Sequence, residues 1–74
     1  MYSTYEKEIG KNLKAIRCSK NYTQEQVAVK LQVYGCDITR SAVAKMETGT
    51  RHIYASELKA LKKVFNVTYD DILG

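Results

Sequence analysis

Arg40, Ser41, Ala44 and Lys45 are the residues whose types and spacing could do chemistry. They sit around Val43 and Met46, two large apolar residues at i and i+3, so on a helix they would face outward. A guanidinium can fork onto guanine O6 and N7, a hydroxyl can bond either base type, and a small residue lets a helix approach closely. This is the set that reading base edges in a major groove requires. An ordinary exposed helix face would use the same residues.

Other chemistry finds little footing. His52 is the single histidine, and no paired acids or glycine-rich phosphate loop stand in a recognisable motif. Cys18 and Cys36 form neither a CxxC pair nor a zinc-ligand spacing and are expected to be reduced thiols. No catalytic residue, metal site, cofactor or small-molecule ligand is therefore expected.

The elements that must position the basic residues follow from composition and period. The 74 residues are expected to form one domain, 1–74, with a net charge of +4. The positive excess lies in residues 1–20 and again in 39–51. No apolar run approaches the roughly 18 residues of a membrane span. Met1 leads into Tyr2-Ser3-Thr4 rather than a signal peptide, so no membrane partner and a cytoplasmic location are expected.

Five helices are predicted. Ser3-Thr4-Tyr5-Glu6 has the form of a capping box, followed by a stripe of Tyr5, Ile9, Leu13 and Ile16 that Asn21 would end. Thr23-Gln24-Glu25-Gln26 is a second box, opening a helix over about 23–34 with Val27, Ala28 and Leu31 inward and Gly35 as its stop. Thr39 caps a short helix over 39–48 that Gly49 ends. A fourth helix runs from about Ala55, with Ser56 a candidate cap, through Leu58, Leu61, Val64 and Phe65 to Asn66. Thr68 caps a last turn, Tyr69 to Leu73.

Three stretches in this order, Ile9–Arg17 (IGKNLKAIR), Tyr22–Ala28 (YTQEQVA) and Thr39–Gly49 (TRSAVAKMETG), resemble the lambda-repressor and Cro type (XRE-like) of helix-turn-helix domain. The closing Val67–Leu73 (VTYDDIL) is similar to that family's last helix. The resemblance implies an all-α, compact five-helix domain whose helix at 39–48 enters the major groove of double-stranded DNA. It implies base reading by Arg40, Ser41 and Lys45, with Ala42 a weaker candidate. Phosphate contacts would fall to Gln24, Thr39, Thr50, Arg51 and Arg17. Glu47 suits a structural partner for Arg17 better than a reader of DNA. The chain departs from the family in the link between the two motif helices, which residues 31–38 lengthen. Ile38 is expected to plug into the core there.

The implied function is that of a small bacterial or phage-type regulator, expected to be a repressor and to reside with the nucleoid. A homodimer is expected, because one small domain covers a short site and two can read half-sites one helical turn apart. Its surface would come from Tyr69, Ile72 and Leu73, or from Tyr2 and Tyr5. The alternative is a protein-interaction module, such as an antitoxin, with secondary DNA binding.

Overall fold

Four helix starts, and the stops, fall where a nearby side chain or a left-handed residue satisfies open backbone groups. The computed structural model describes residues 4–74, so Ser3 and Tyr2 lie outside the described residues. The elements are α1 (Thr4–Ser19), α2 (Gln24–Val33), α3 (Arg40–Thr48), α4 (Ala55–Phe65) and α5 (Tyr69–Leu73). Thr23 Oγ1 accepts from the Gln26 amide at 3.1 Å, and Gln26 Oε1 accepts from the Thr23 amide at 2.8 Å. Thr39 Oγ1 accepts from the Ala42 amide at 3.2 Å, and Thr68 and Asp71 close a reciprocal pair at α5.

The stops are equally local. Asn21, Gly35, Gly49 and Asn66 all have positive φ. After each, the next amide bonds back to a carbonyl five residues earlier: Tyr22 to Arg17, Cys36 to Leu31, Thr50 to Lys45 and Val67 to Lys62, at 2.9–3.2 Å. Four of the five helices therefore end in the Schellman arrangement.

α1 packs on α3 and α5, and α2 packs on α3 and α4. Leu31, Ile38, Met46, Ile72 and Val27 fill the centre. Ile38 enters from the lengthened α2–α3 link, as its apolar character in a polar turn suggested, and Gln32 Nε2 donates to its carbonyl at 3.2 Å. On the α1–α5 side, Asn12 Nδ2 donates to the Ile72 carbonyl at 2.8 Å. No helix among the described residues is long and apolar enough to cross a membrane.

Three details differ from the sequence reading. The N-cap of α4 is Tyr54 rather than Ser56, because the Glu57 carboxylate reaches back to accept from the Tyr54 amide at 3.0 Å. Tyr5 is exposed, since the α1 stripe runs past the edge of the core. Ile72 lies wholly inside, which removes it from any dimer surface and leaves α5 only Tyr69 and part of Leu73.

Gly10 sets how near α1 lies to α3. A Cβ there would stand 2.4 Å from the Met46 carbonyl oxygen and 2.6 Å from that of Glu47. By helix propensity, Gly10→Ala should stabilise α1 by roughly 1 kcal/mol. The backbone clash reverses the sign. We expect a loss of about 3 kcal/mol, at the upper end for overpacking, because carbonyls cannot rotate away as side chains can. Thermal unfolding checks this: a melting temperature at or above that of the parent would contradict the close approach.

Candidate nucleic-acid interface

α3 divides its residues sharply. Val43, Met46 and Glu47 are buried, and Ala42 is half-buried against the core. Arg40, Ser41, Lys45 and Thr48 are exposed, with Ala44 half-exposed among them. Ser41, Ala44, Lys45 and Thr48 stand at i, i+3, i+4 and i+7, which is one helix face. Thr39 serves as the N-cap of this helix.

Glu47 fixes that face from behind. Its carboxylate accepts from Arg17 Nε at 2.6 Å, from Arg17 Nη2 at 3.1 Å and from Gln24 Nε2 at 3.0 Å. Arg17 Nη1 also donates to the Tyr22 carbonyl at 2.9 Å. One carboxylate thus ties α1, α2 and α3 together. The Arg17 side chain is 13% exposed and that of Glu47 5%. The Glu47 hydrogen bonds hold the Arg17 charge more firmly than usual, against the opposing effect of burial.

A shallow cleft of about 770 Å³ opens beside this junction, lined by Lys14, Arg17, Asn21, Thr23, Gln24 and Arg40 among others. It brings together Arg17, Gln24 and Arg40 from the predicted set. Thr50 and Arg51 lie past the other end of α3, about 13 Å of helix away. Thr50 Oγ1 pairs with Thr48 Oγ1 at 2.9 Å and donates to the Lys45 carbonyl at 3.3 Å. Arg51 turns toward α4, donating to both Glu57 carboxylate oxygens at 2.8 and 2.9 Å and to the His52 carbonyl at 2.8 Å. Burial pushes the Glu57 carboxyl up. Its bonds from Arg51 and the Tyr54 amide outweigh that and hold it below the ordinary carboxylate range.

Two residues at this surface escaped sequence reasoning. Lys14 reads as a solvated lysine, yet it lines the cleft with Arg40. Thr48 carries a usable signal, since it falls one turn beyond Ala44 and Lys45 on the outward face.

The helix-turn-helix family model (HTH_3) matches residues 13–72. The chain belongs to this XRE-like helix-turn-helix family. At the level of the domain, this is a family of sequence-specific DNA binding in transcription regulation and not of enzymes. The chain is 38% identical over 67 residues to the HTH-type transcriptional activator BcrR of Enterococcus faecalis, covering 90% of the chain and 30% of that protein. It is 33% identical over 66 residues to antitoxin PezA of Streptococcus pneumoniae, covering 89% of the chain and 39% of that protein. The chain therefore spans about three tenths to two fifths of the length of these curated relatives. Among solved structures, the DNA-binding domain of BldD superposes with a TM-score of 0.81 at 27% identity, covering all of both chains. The controller protein C.AhdI of Aeromonas hydrophila matches the fold, with a TM-score of 0.79 at 21% identity over 89% of this chain and 92% of that one.

The Glu47 junction predicts that Glu47→Leu alone costs about 3–5 kcal/mol, because it strands the Arg17 charge in a half-dry site. Adding Arg17→Met should recover most of that loss. Strictly additive losses in urea unfolding would show that the two side chains are not coupled. Glu57 predicts a pH effect. Its folded pKa is depressed, so it contributes stability above its unfolded value near pH ~4.3 and loses it as pH falls through the folded value. The parent should thus lose stability more steeply on acidification than Glu57→Gln, and equal slopes of melting temperature against pH would refute this.

Proposed function

We propose that the chain binds double-stranded DNA in a sequence-specific manner with α3 in the major groove, and regulates transcription as a homodimer. The observation that supports this most directly concerns α3. Arg40, Ser41 and Lys45 make no side-chain hydrogen bond or ion pair to any described residue, while the helix beneath them is locked by Glu47. Donors held in place but left unsatisfied are what a base-reading surface needs.

In this reading Arg40, Ser41 and Lys45 touch base edges and Ala44 on the same face allows close approach, while Ala42, packed against the core, is the weakest candidate. Thr39 and the first turn of α2 near Gln24 present donors to one phosphate strand, supported by Lys14 and the outer edge of Arg17. Thr50 and Arg51 hold the strand at the other end of α3, with Arg51 sharing its guanidinium between phosphate and Glu57. Phosphate contacts supply most of the affinity, and base contacts supply the choice of site. Such work places the protein with DNA in the cytoplasm. Occupying a promoter suffices for repression, whereas activation, as in the name of the BcrR relative, needs a further contact. The likeness to an antitoxin supports a second reading, in which a protein partner binds alongside DNA.

A selection from random duplex DNA, followed by anisotropy at several salt concentrations, tests the proposal. An enriched inverted repeat with half-sites about one turn apart is the expected result. Arg40→Ala should lose about 1–3 kcal/mol on the selected site and relax its sequence. Arg51→Ala should weaken selected and random DNA alike. A protein that sediments as a monomer even on its best site would end the dimer proposal, and failure to enrich any sequence would end the base-reading one.

A further inference from the structure

Three of the six large apolar side chains exposed among the described residues belong to α2 and its cap: Val29, Val33 and Tyr34, at 52, 80 and 49% exposure. Isolated exposed apolar residues are ordinary, but a cluster is not. Val29 and Val33 are also i and i+4 neighbours on a helix of 10 residues. β-branched residues are among the weaker helix formers, so helix stability gives no reason for them there.

Beside them the surface is concave. A hollow of about 220 Å³ lies between Val33, Tyr34, Val64, Lys30 and Lys63. It continues past Tyr34 and Lys63 into a second hollow of about 450 Å³ that reaches Lys59 and the lengthened α2–α3 link at Cys36 and Asp37. Lys63 Nζ stands 5.8 Å from the Tyr34 ring centre. The rim therefore carries Lys30, Lys59 and Lys63 against Asp37. Glu57 also lines the second hollow, but its carboxylate is already bonded to Arg51. None of the residues lining these hollows lines the cleft beside Arg40.

We propose that this α2–α4 face is a docking groove for an acidic, amphipathic peptide segment of a partner protein, separate from the DNA surface and able to be filled while DNA is bound. An apolar side chain of the partner enters between Val33, Tyr34 and Val64, and its carboxylates meet Lys30, Lys59 and Lys63. Charge decides between occupants. A second copy docked symmetrically would set these lysines against their own counterparts, because a two-fold interface pairs a patch with itself. A nucleic-acid strand would satisfy the lysines but leave Val29 and Val33 with no apolar partner. Peptide docking itself does not depend on DNA binding; only the simultaneous occupancy rests on that reading.

Panning a random-peptide phage library on the full chain tests it, with the single variants Val33→Glu and Lys63→Glu as comparisons. Both positions are exposed, so both variants should keep the parent's melting temperature and its affinity for DNA. The expected peptides alternate apolar residues at helical spacing with Asp and Glu, and bind each variant roughly tenfold or more weakly. Three results would overturn the proposal: no peptide whose binding depends on Val33 and Lys63, a parent dimer that Val33→Glu makes monomeric, or oligo(dT) binding that Tyr34→Ala abolishes. Loss of DNA binding by the parent, with peptide binding intact, would strike the DNA reading alone.

Discussion

The domain depends on one buried carboxylate. Glu47 gathers Arg17 from α1 and Gln24 from α2 onto the last turn of α3. The same turn is approached from the other side by the backbone of α1 at Gly10. A charge this dry is tolerated only because its oxygens are occupied, and removing any of the donors would leave it costly. The geometry of three helices thus converges on one turn. A nine-residue helix is marginal on its own, and here its orientation comes from the junction rather than from helix propensity.

That arrangement separates the cations into two kinds. Arg17 and Arg51 are bound to Glu47 and Glu57 and help hold the fold. Arg40 and Lys45 are outward, and Lys14 lines the cleft next to them. A net charge of +4 conceals this division. The two pairs cancel internally, so the whole net charge is carried by the groups left outside, where Arg40, Lys45 and Lys14 gather at α3 and the cleft.

What could be read from the sequence was whatever is local. Thr23 and Thr68 announce helix starts, because a hydroxyl with Gln or Asp three residues on completes a closed set of hydrogen bonds, and Thr39 does so with its hydroxyl alone. Asn21, Gly35, Gly49 and Asn66 announce stops, because few other residues accept a left-handed backbone. The Arg17–Glu47 pairing was readable as a need for a partner, since Glu47 falls next to the apolar stripe of α3. What stayed hidden is decided across the chain. Gln24 joins that pair from 23 residues away. Tyr5 continues a stripe in sequence but has no core beneath it in space. Glu57 sets the start of α4, which a search for hydroxyl caps places at Ser56 instead. The exposed α2 face was legible only in part: Val29 and Val33 fall outside the inward stripe of Val27, Ala28 and Leu31, but the hollow beside Val33 forms only once α4 is in place.

The helix stops also bear on time. Each is built from residues within one turn, and the 74 residues contain no proline. Chains without prolyl bonds lack the isomerisation that holds other proteins back for tens of seconds. Small helical domains rich in short-range contacts fold in microseconds to milliseconds. Ribosomes add only about 5–20 residues per second. For this domain, the interval before the native state is reached is therefore set by synthesis, with folding adding almost nothing.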